Sequence, residues 1–175
     1  MMDPEPVTTL SAFSGADAEP TPWERGRGEL RSAEVYWLST VRPDRRPHVT
    51  PLLGVWLRGA LYFCTSPVER KAKNLEHNSH CVLTTGCNTL GDCTDIVVEG
   101  EATKVEADDE LREIADTYES KYGAQFTQPT GTWFGLGDSI RAGNVLVYRV
   151  APSTAFGFGR GRQFSQTRWQ FSEAG

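Results

Sequence analysis

The chain has 175 residues, 38% hydrophobic and 23% charged, with a formal net charge of -5. That length supports one domain with a sizeable core, or one domain with tails. The acidic total excludes nonspecific nucleic-acid binding, which needs a basic face, but leaves room for a small anion at a local basic cluster. No apolar run approaches the length a bilayer demands and nothing reads as a signal peptide, so the expected setting is cytoplasmic.

Residues 1–24 are rich in Pro, Asp, Glu, Ser and Ala and show no period. They read as a flexible arm, or as a strap that orders only against something else, ahead of a single domain over 25–175. Trp23 is too apolar to leave in water, so the junction should dock. A short helix can follow over Trp23–Arg31, weakened by Gly26 and Gly28.

From Glu34 the residues turn β-branched and aromatic. Val35–Val41 reads as a strand ending in the turn Arg42-Pro43-Asp44-Arg45-Arg46-Pro47. His48–Leu57 and Ala60–Thr65 follow as two more, joined at Arg58-Gly59, so the three make an antiparallel meander. Pro51 cannot donate to a ladder and implies an edge or a bulge, while Gly54 leaves space for a backbone or a flat ligand.

Ser66 can then cap a helix, with Pro67 at its first position, Glu69 completing a capping box, and Val68, Ala72 and Leu75 on one apolar stripe. A helix N-terminus with Arg70 and Lys71 in its first turns suits a phosphate; the alternative is a surface helix with a solvated basic pair.

Further strands are expected over His80–Gly86, Thr94–Val105, Asn144–Ala151, Thr154–Phe158 and Gln163–Phe171, with a bend at Pro152. The clearest helix is Asp108–Tyr122, carrying Leu111, Ile114, Ala115, Tyr118 and Tyr122 on its apolar face and stopped by Gly123. Residues 124–143 read as loop, where Trp133 and Phe134 either anchor the chain or form a lid. Cys64 and Cys81 sit in apolar strands as reduced thiols; a Cys87–Cys93 bridge is conceivable, but a reducing compartment argues against it. Many short strands with few helices give a mainly β chain, a small closed or nearly closed barrel of six to eight strands with two to three short helices.

Chemistry-bearing constellations are scarce. G-x-G-x-x-G, G-x-x-x-x-G-K-[ST] and G-x-S-x-G are all absent, no metal-ligand spacing links the histidines to the cysteines, and Glu110, Glu113 and Asp116 look like a solvated helix face. No catalytic residue and no metal ligand is assigned, so any hard chemistry belongs to a bound cofactor.

The order of elements carries more. The turn Arg-Pro-Asp-x-Arg-Pro, the strand His48-Val49-Thr50-Pro51-Leu52-Leu53-Gly54-Val55-Trp56, the strand Leu61–Thr65 and the helix Ser66…Glu69-Arg70-Lys71-Ala72-Lys73-Asn74-Leu75 resemble the pyridoxamine 5'-phosphate oxidase-like family. These are flavin-binding split β-barrels, including flavin/deazaflavin oxidoreductases. The resemblance runs from about Glu34 to Phe171, and the tail Phe164–Trp169 is similar to their closing strand.

The resemblance implies a homodimer with FMN or the deazaflavin coenzyme F-420 at the subunit interface, and hydride transfer to or from a small conjugated substrate. It places the cofactor phosphate at Thr65, Ser66, Arg70, Lys71 and Asn74, the ring along Val49, Thr50 and Pro51, and Thr167, Arg168 and Trp169 at the same pocket from the partner. True pyridoxamine phosphate oxidases also carry an arginine/histidine substrate signature near the C-terminus. Here that end reads Ser165-Gln166-Thr167-Arg168-Trp169, which puts that particular reaction in doubt. The alternative is a non-catalytic flavin- or haem-binding sensor or store on the same barrel, and a third reading is a purely structural β-barrel dimer.

Overall fold

The β-branched and aromatic runs become strands, because alternate residues in them have a core to enter. The structure, a computed structural model, describes residues 5–126, 134–161 and 163–172. In chain order these form β1 (Val7–Leu10), α1 (Trp23–Ser32), β2 (Tyr36–Val41), β3 (Pro47–Leu52), β4 (Gly54–Leu57), β5 (Ala60–Thr65) and α2 (Arg70–His77). Then come β6 (His80–Thr85), β7 (Thr94–Lys104), α3 (Asp108–Tyr122), α4 (Leu136–Arg141), β8 (Leu146–Arg160) and β9 (Phe164–Gln170).

All ladders are antiparallel. They run in the order β1-β9-β8-β7-β6-β2-β3, and β5, which pairs β4, joins the sheet through the first residues of β8. β3 and β4 are consecutive in the chain yet share no ladder, so the barrel is split there. The expected His48–Leu57 strand is therefore two strands meeting at Leu53, because its halves pair with different partners, β2 and β5. Pro51 lies on β3, whose other edge is unpaired, where a missing N–H costs no ladder bond.

Other differences have equally local causes. The two strands expected on either side of Pro152 are one, β8. The ladder absorbs the proline opposite Gly100, where the register shifts between Glu99 and Gly100. The arm expected before Trp23 contributes β1, whose four residues pair with Thr167–Gln170. α4 lies inside the expected loop 124–143, bounded by the left-handed glycines Gly135 (φ 66°) and Gly143 (φ 69°). The described residues thus hold nine strands and four helices, more of each than expected.

Two apolar clusters share the sheet. The barrel interior holds Leu38, Leu61, Phe63, Leu83, Ile96, Val98 and Val150, closed by Trp23 and Leu30 of α1. A second core lies outside β4, β5 and β8, where Val55, Ala60, Tyr62 and Val147 meet Ile114, Ala115, Tyr118 and Tyr122 of α3 and Ile140 of α4. β5 is apolar from Ala60 through Cys64 because it has a core on both faces.

Cys87 and Cys93 are disulfide-bonded across the β6–β7 loop, contrary to the compartment argument. The loop returns on itself and brings their Cα atoms to 6.4 Å, within bridging reach. Cys64 and Cys81 are free, and burial pushes both thiols up to about 12, as core thiols.

Candidate functional site

The stretch Thr65–Leu75 joins β5 to α2, but α2 starts four residues after Ser66. Ser66 makes no side-chain cap. Only the acidic half of the expected capping box forms. Glu69 Oε2 accepts the Ser66 N–H at 3.1 Å and the Thr65 hydroxyl at 2.6 Å. Val68 is consequently on the turn and 74% exposed, not on the helix stripe, while Ala72 and Leu75 are buried as expected.

Arg70 and Lys71 have different surroundings. Arg70 is exposed. Lys71 is buried, with Nζ 2.8 Å from Glu69 Oε1. One turn on, the fully buried Asn74 donates from Nδ2 to Thr40 Oγ1 at 2.9 Å, which ties α2 to β2. Thr40 in turn lies opposite His48 of β3, 3.5 Å from its Nδ1.

His48 reports the local field. Its pKa lies below the usual histidine range, first because of partial burial and then because Arg42, Lys71 and Arg70 all disfavour a further positive charge. Three cations, Arg42 of the β2–β3 turn and Lys71 and Arg70 of α2, thus act together on His48. Two polar atoms there are buried with no hydrogen-bond partner, Arg42 Nε and Asn74 Oδ1. A donor set of ammonium, guanidinium, hydroxyl and backbone N–H, with an unsatisfied guanidinium nitrogen, fits an anion such as a phosphate. The Glu69 carboxylate is the one acid bonded into it.

Val49 and Pro51 point to the outer face of the sheet, whereas Thr50 points the other way, opposite buried Leu38. Across that outer face the paired residues run Thr9–Arg168–Phe156–Val97–Thr84–Trp37–Pro51 from β1 to β3. Residues paired in register lie on the same face, so Arg168, next to the β1 end, and Pro51, at the β3 end, belong to one row. Trp37 (50%) and Val49 (55%) are strongly exposed for their type. A hollow of about 360 Å³ lies near the β3 end, lined by Val41, Pro47, Val82 and Glu99, and one of about 330 Å³ lies at the β9 end, lined by Thr9, Phe156, Phe158 and Arg168.

The expected tail residues therefore divide. Arg168 is exposed on the outer face. Thr167 and Trp169 face the interior: Thr167 Oγ1 accepts the Thr21 N–H at 2.8 Å, and Trp169, fully buried, donates its indole N–H to Thr21 O at 3.1 Å. The Trp169 ring fits a slot that two glycines leave open; a Cβ on Gly157 or Gly26 would come within 2.4 Å or 2.8 Å of it. Within one chain β8, β7, β6 and β2 separate β9 from β3, so the tail does not meet the cation cluster.

The sequence reading also missed a cluster. The space that Gly54 leaves is taken by the Tyr36 ring and the Tyr62 backbone carbonyl, while Tyr122 and Lys121 hold the Gly54 carbonyl. Tyr122 Oη lies 2.8 Å and Lys121 Nζ 2.9 Å from Gly54 O, and the ammonium sits 5.1 Å from the centre of each tyrosine ring. Burial lowers the Lys121 pKa to about 8, partly countered by Glu34. Nothing in a lysine on a helix face signals this; only the pairing of Tyr118 and Tyr122 on that helix hinted at the inner surface. Phe134 borders a cavity of about 230 Å³ with Leu53, Tyr118, Tyr122, Phe126 and Leu136. Trp133, its partner in the lid reading, lies outside the described residues. Asp116 is not merely solvated either, because Arg141 of α4 reaches it at 2.6 Å while also holding Glu119.

Solved structures with this fold are similar at low sequence identity. A conserved hypothetical protein, Rv2991, from Mycobacterium tuberculosis matches with a TM-score of 0.68 at 18% identity, covering 85% of this chain and 91% of its own. A heme binding protein from Mycobacterium smegmatis matches at 0.64 and 19%, covering 85% of this chain and 58% of its own. A FAD-binding protein from Mesorhizobium loti matches at 0.59 and 13%, covering 93% and 98%. No match is found among curated protein sequences. The family model for pyridoxamine 5'-phosphate oxidase matches residues 23–157, from the first residue of α1 through most of β8. The chain belongs to the pyridoxamine 5'-phosphate oxidase family.

Proposed function

We propose that this chain is an oxidoreductase that binds FMN or the deazaflavin coenzyme F-420 and works as a homodimer with the cofactor at the subunit interface. The observation that carries this is the convergence of Arg42, Arg70 and Lys71 on His48 beside an edge strand bearing Pro51. The cations, with the Thr65 hydroxyl and Ser66 N–H, hold the phosphate. Val49 and Pro51 offer the ring an apolar outer surface with no competing N–H at Pro51. The cofactor supplies hydride transfer to or from a small conjugated substrate; the protein binds, orients and shields it.

The dimer is part of the same reading. Two copies stacked outer face to outer face about a two-fold axis would bury Trp37 and Val49 and lay Arg168 of one copy near β3 of the other. The functional unit in this reading is the single domain together with Trp23 and β1, which pack and pair with it. The cytoplasmic setting belongs to this reading too, although the Cys87–Cys93 bridge does not favour a reducing compartment.

The test is a spectrum of the purified protein followed by titration with FMN and F-420. Micromolar or tighter binding of one is expected. Replacing both Arg70 and Lys71 by Ala should weaken it by on the order of 3–6 kcal/mol, two charge-assisted contacts. Equal binding by the double variant would sink the phosphate assignment.

A second reading, a non-catalytic haem- or flavin-binding module, is favoured by the similarity to the Mycobacterium smegmatis heme binding protein. It requires tight hemin or flavin uptake without turnover by any reductant, and a parallel hemin titration separates the two.

A further inference from the structure

Glu69 is out of place in an anion site. Its carboxylate holds three of the donors a phosphate would use: Lys71 Nζ at 2.8 Å, the Thr65 hydroxyl at 2.6 Å and the Ser66 N–H at 3.1 Å. Beyond these donors, Arg70 of α2 and Arg42 of the β2–β3 turn join Lys71 in acting on His48 of β3. Partial burial would raise the Glu69 pKa, yet it lies below the usual carboxylate value, since Lys71, Thr65 and Ser66 together outweigh burial.

Accessibility splits the pair. The Lys71 side chain is 9% exposed and that of Glu69 is 47% exposed. The lysine cannot leave; the carboxylate can turn into water. The start of α2 does not depend on the carboxylate, because the Glu69 backbone makes its own bonds, N–H to Ser66 O and carbonyl from Lys73 N–H.

We propose that the Glu69 carboxylate is an internal stand-in for the ligand's phosphate, neutralising Lys71 in the free protein and displaced from Thr65, Ser66 and Lys71 when the phosphate binds. This rests on the cofactor reading above and assigns Glu69 the role of setting affinity and anion preference. A buried ammonium needs a counter-charge at all times, which Glu69 supplies until the ligand arrives. A phosphate dianion with three acceptor oxygens outcompetes one carboxylate for these donors, whereas a weaker anion does not. The displaced carboxylate remains near the dianion and opposes it, so the free protein holds the ligand less tightly than its donors alone would allow.

The experiment compares the wild-type protein with Glu69→Gln and Glu69→Ser, using FMN and phosphate-free riboflavin as paired ligands followed by flavin fluorescence. Glu69→Gln should bind FMN about tenfold or more tightly than wild type and leave riboflavin affinity unchanged, a difference of about 1.4 kcal/mol. Glu76→Gln, which removes the same charge from an exposed position on α2, should change FMN affinity less than twofold. The free Glu69→Gln protein should melt lower than wild type, and inorganic phosphate should restore it. Wild-type FMN binding that Glu69→Gln leaves equal or weakens overturns the stand-in role and leaves the cofactor reading intact. A parallel gain in riboflavin affinity overturns it as well, since it would mark a general loosening. If neither protein binds FMN, F-420 or phosphate, the cofactor reading itself fails.

Discussion

The sheet has two outer surfaces, treated in opposite ways. Outside β4, β5 and the start of β8, α3 and α4 cover the sheet, and Val55, Tyr62, Ile114 and Tyr118 are buried. Outside β2, β3, β6 and β9, no helix among the described residues packs on the row from Pro51 to Arg168, and Trp37 and Val49 stand half exposed. Sheets normally hide both faces or turn a polar one to water. The covered surface is finished within one chain. The bare one carries apolar residues, two hollows and the cofactor candidates Val49, Pro51 and Arg168, and so is the surface to which function is assigned.

The contrast breaks most readily at the covered surface. Ile114→Ala should cost about 2–5 kcal/mol in urea unfolding, because the void lies between a helix and a sheet that cannot collapse onto it. Trp37→Lys on the bare surface should leave the circular dichroism spectrum intact and abolish concentration-dependent association in sedimentation; a wild type that stays monomeric at tens of micromolar defeats the dimer. Gly157→Ala, on the interior side of the same bare strands, should cost on the order of 1–3 kcal/mol, since its new methyl meets the Trp169 ring.

Smaller effects follow pH. At the bare edge, His48 resists protonation because of partial burial and then Arg42, Lys71 and Arg70. A bound anion offsets those charges, so binding takes up a proton and affinity rises as pH falls. Sulfate, which does not titrate in this range, should bind more tightly at pH 5.5 than at pH 7.5, and His48→Gln should flatten the profile. On the covered side, Lys121 has a folded pKa lowered to about 8 from 10.5. Between those values the unfolded chain holds the proton more firmly than the folded one, so stability should rise with pH above 8, until tyrosines ionise in the unfolded chain near 10. Lys121→Met should lose that rise in a thermal-melt series.

How much of this was legible depends on whether the cause was local. β5 and α3 announce themselves through a continuous apolar run and a helical stripe, and the Glu69 back-bond follows from its spacing to Ser66. Arg70 and Lys71 were legible as a basic pair, but not the burial of one and exposure of the other, which depends on how α2 sits against Thr40. β1 was not legible because a run of only four residues, Val7-Thr8-Thr9-Leu10, is too short to show alternation and is ordered by its pairing with β9. Alternation in Phe164–Gln170 shows that Thr167 and Trp169 share a face and Arg168 takes the other. It does not say which face is inside, and the glycines that decide it lie at positions 26 and 157. Lys121 looks like any helix-face lysine until Gly54 O is brought to it.

Trp169 sets a timetable for the molecule. Its ring meets Trp23 at 5.2 Å and its N–H meets Thr21, partners made nearly 150 residues earlier in synthesis. Until β9 is made, Trp23 and the slot between Gly26 and Gly157 lack the Trp169 ring, so α1 cannot be fully seated before that strand is synthesised. Completion of the interior thus waits on a long-range contact, which slows folding relative to a chain of mostly local contacts. A chain shortened by its final seven residues should emerge with its barrel unsealed and depend on chaperones to stay in solution.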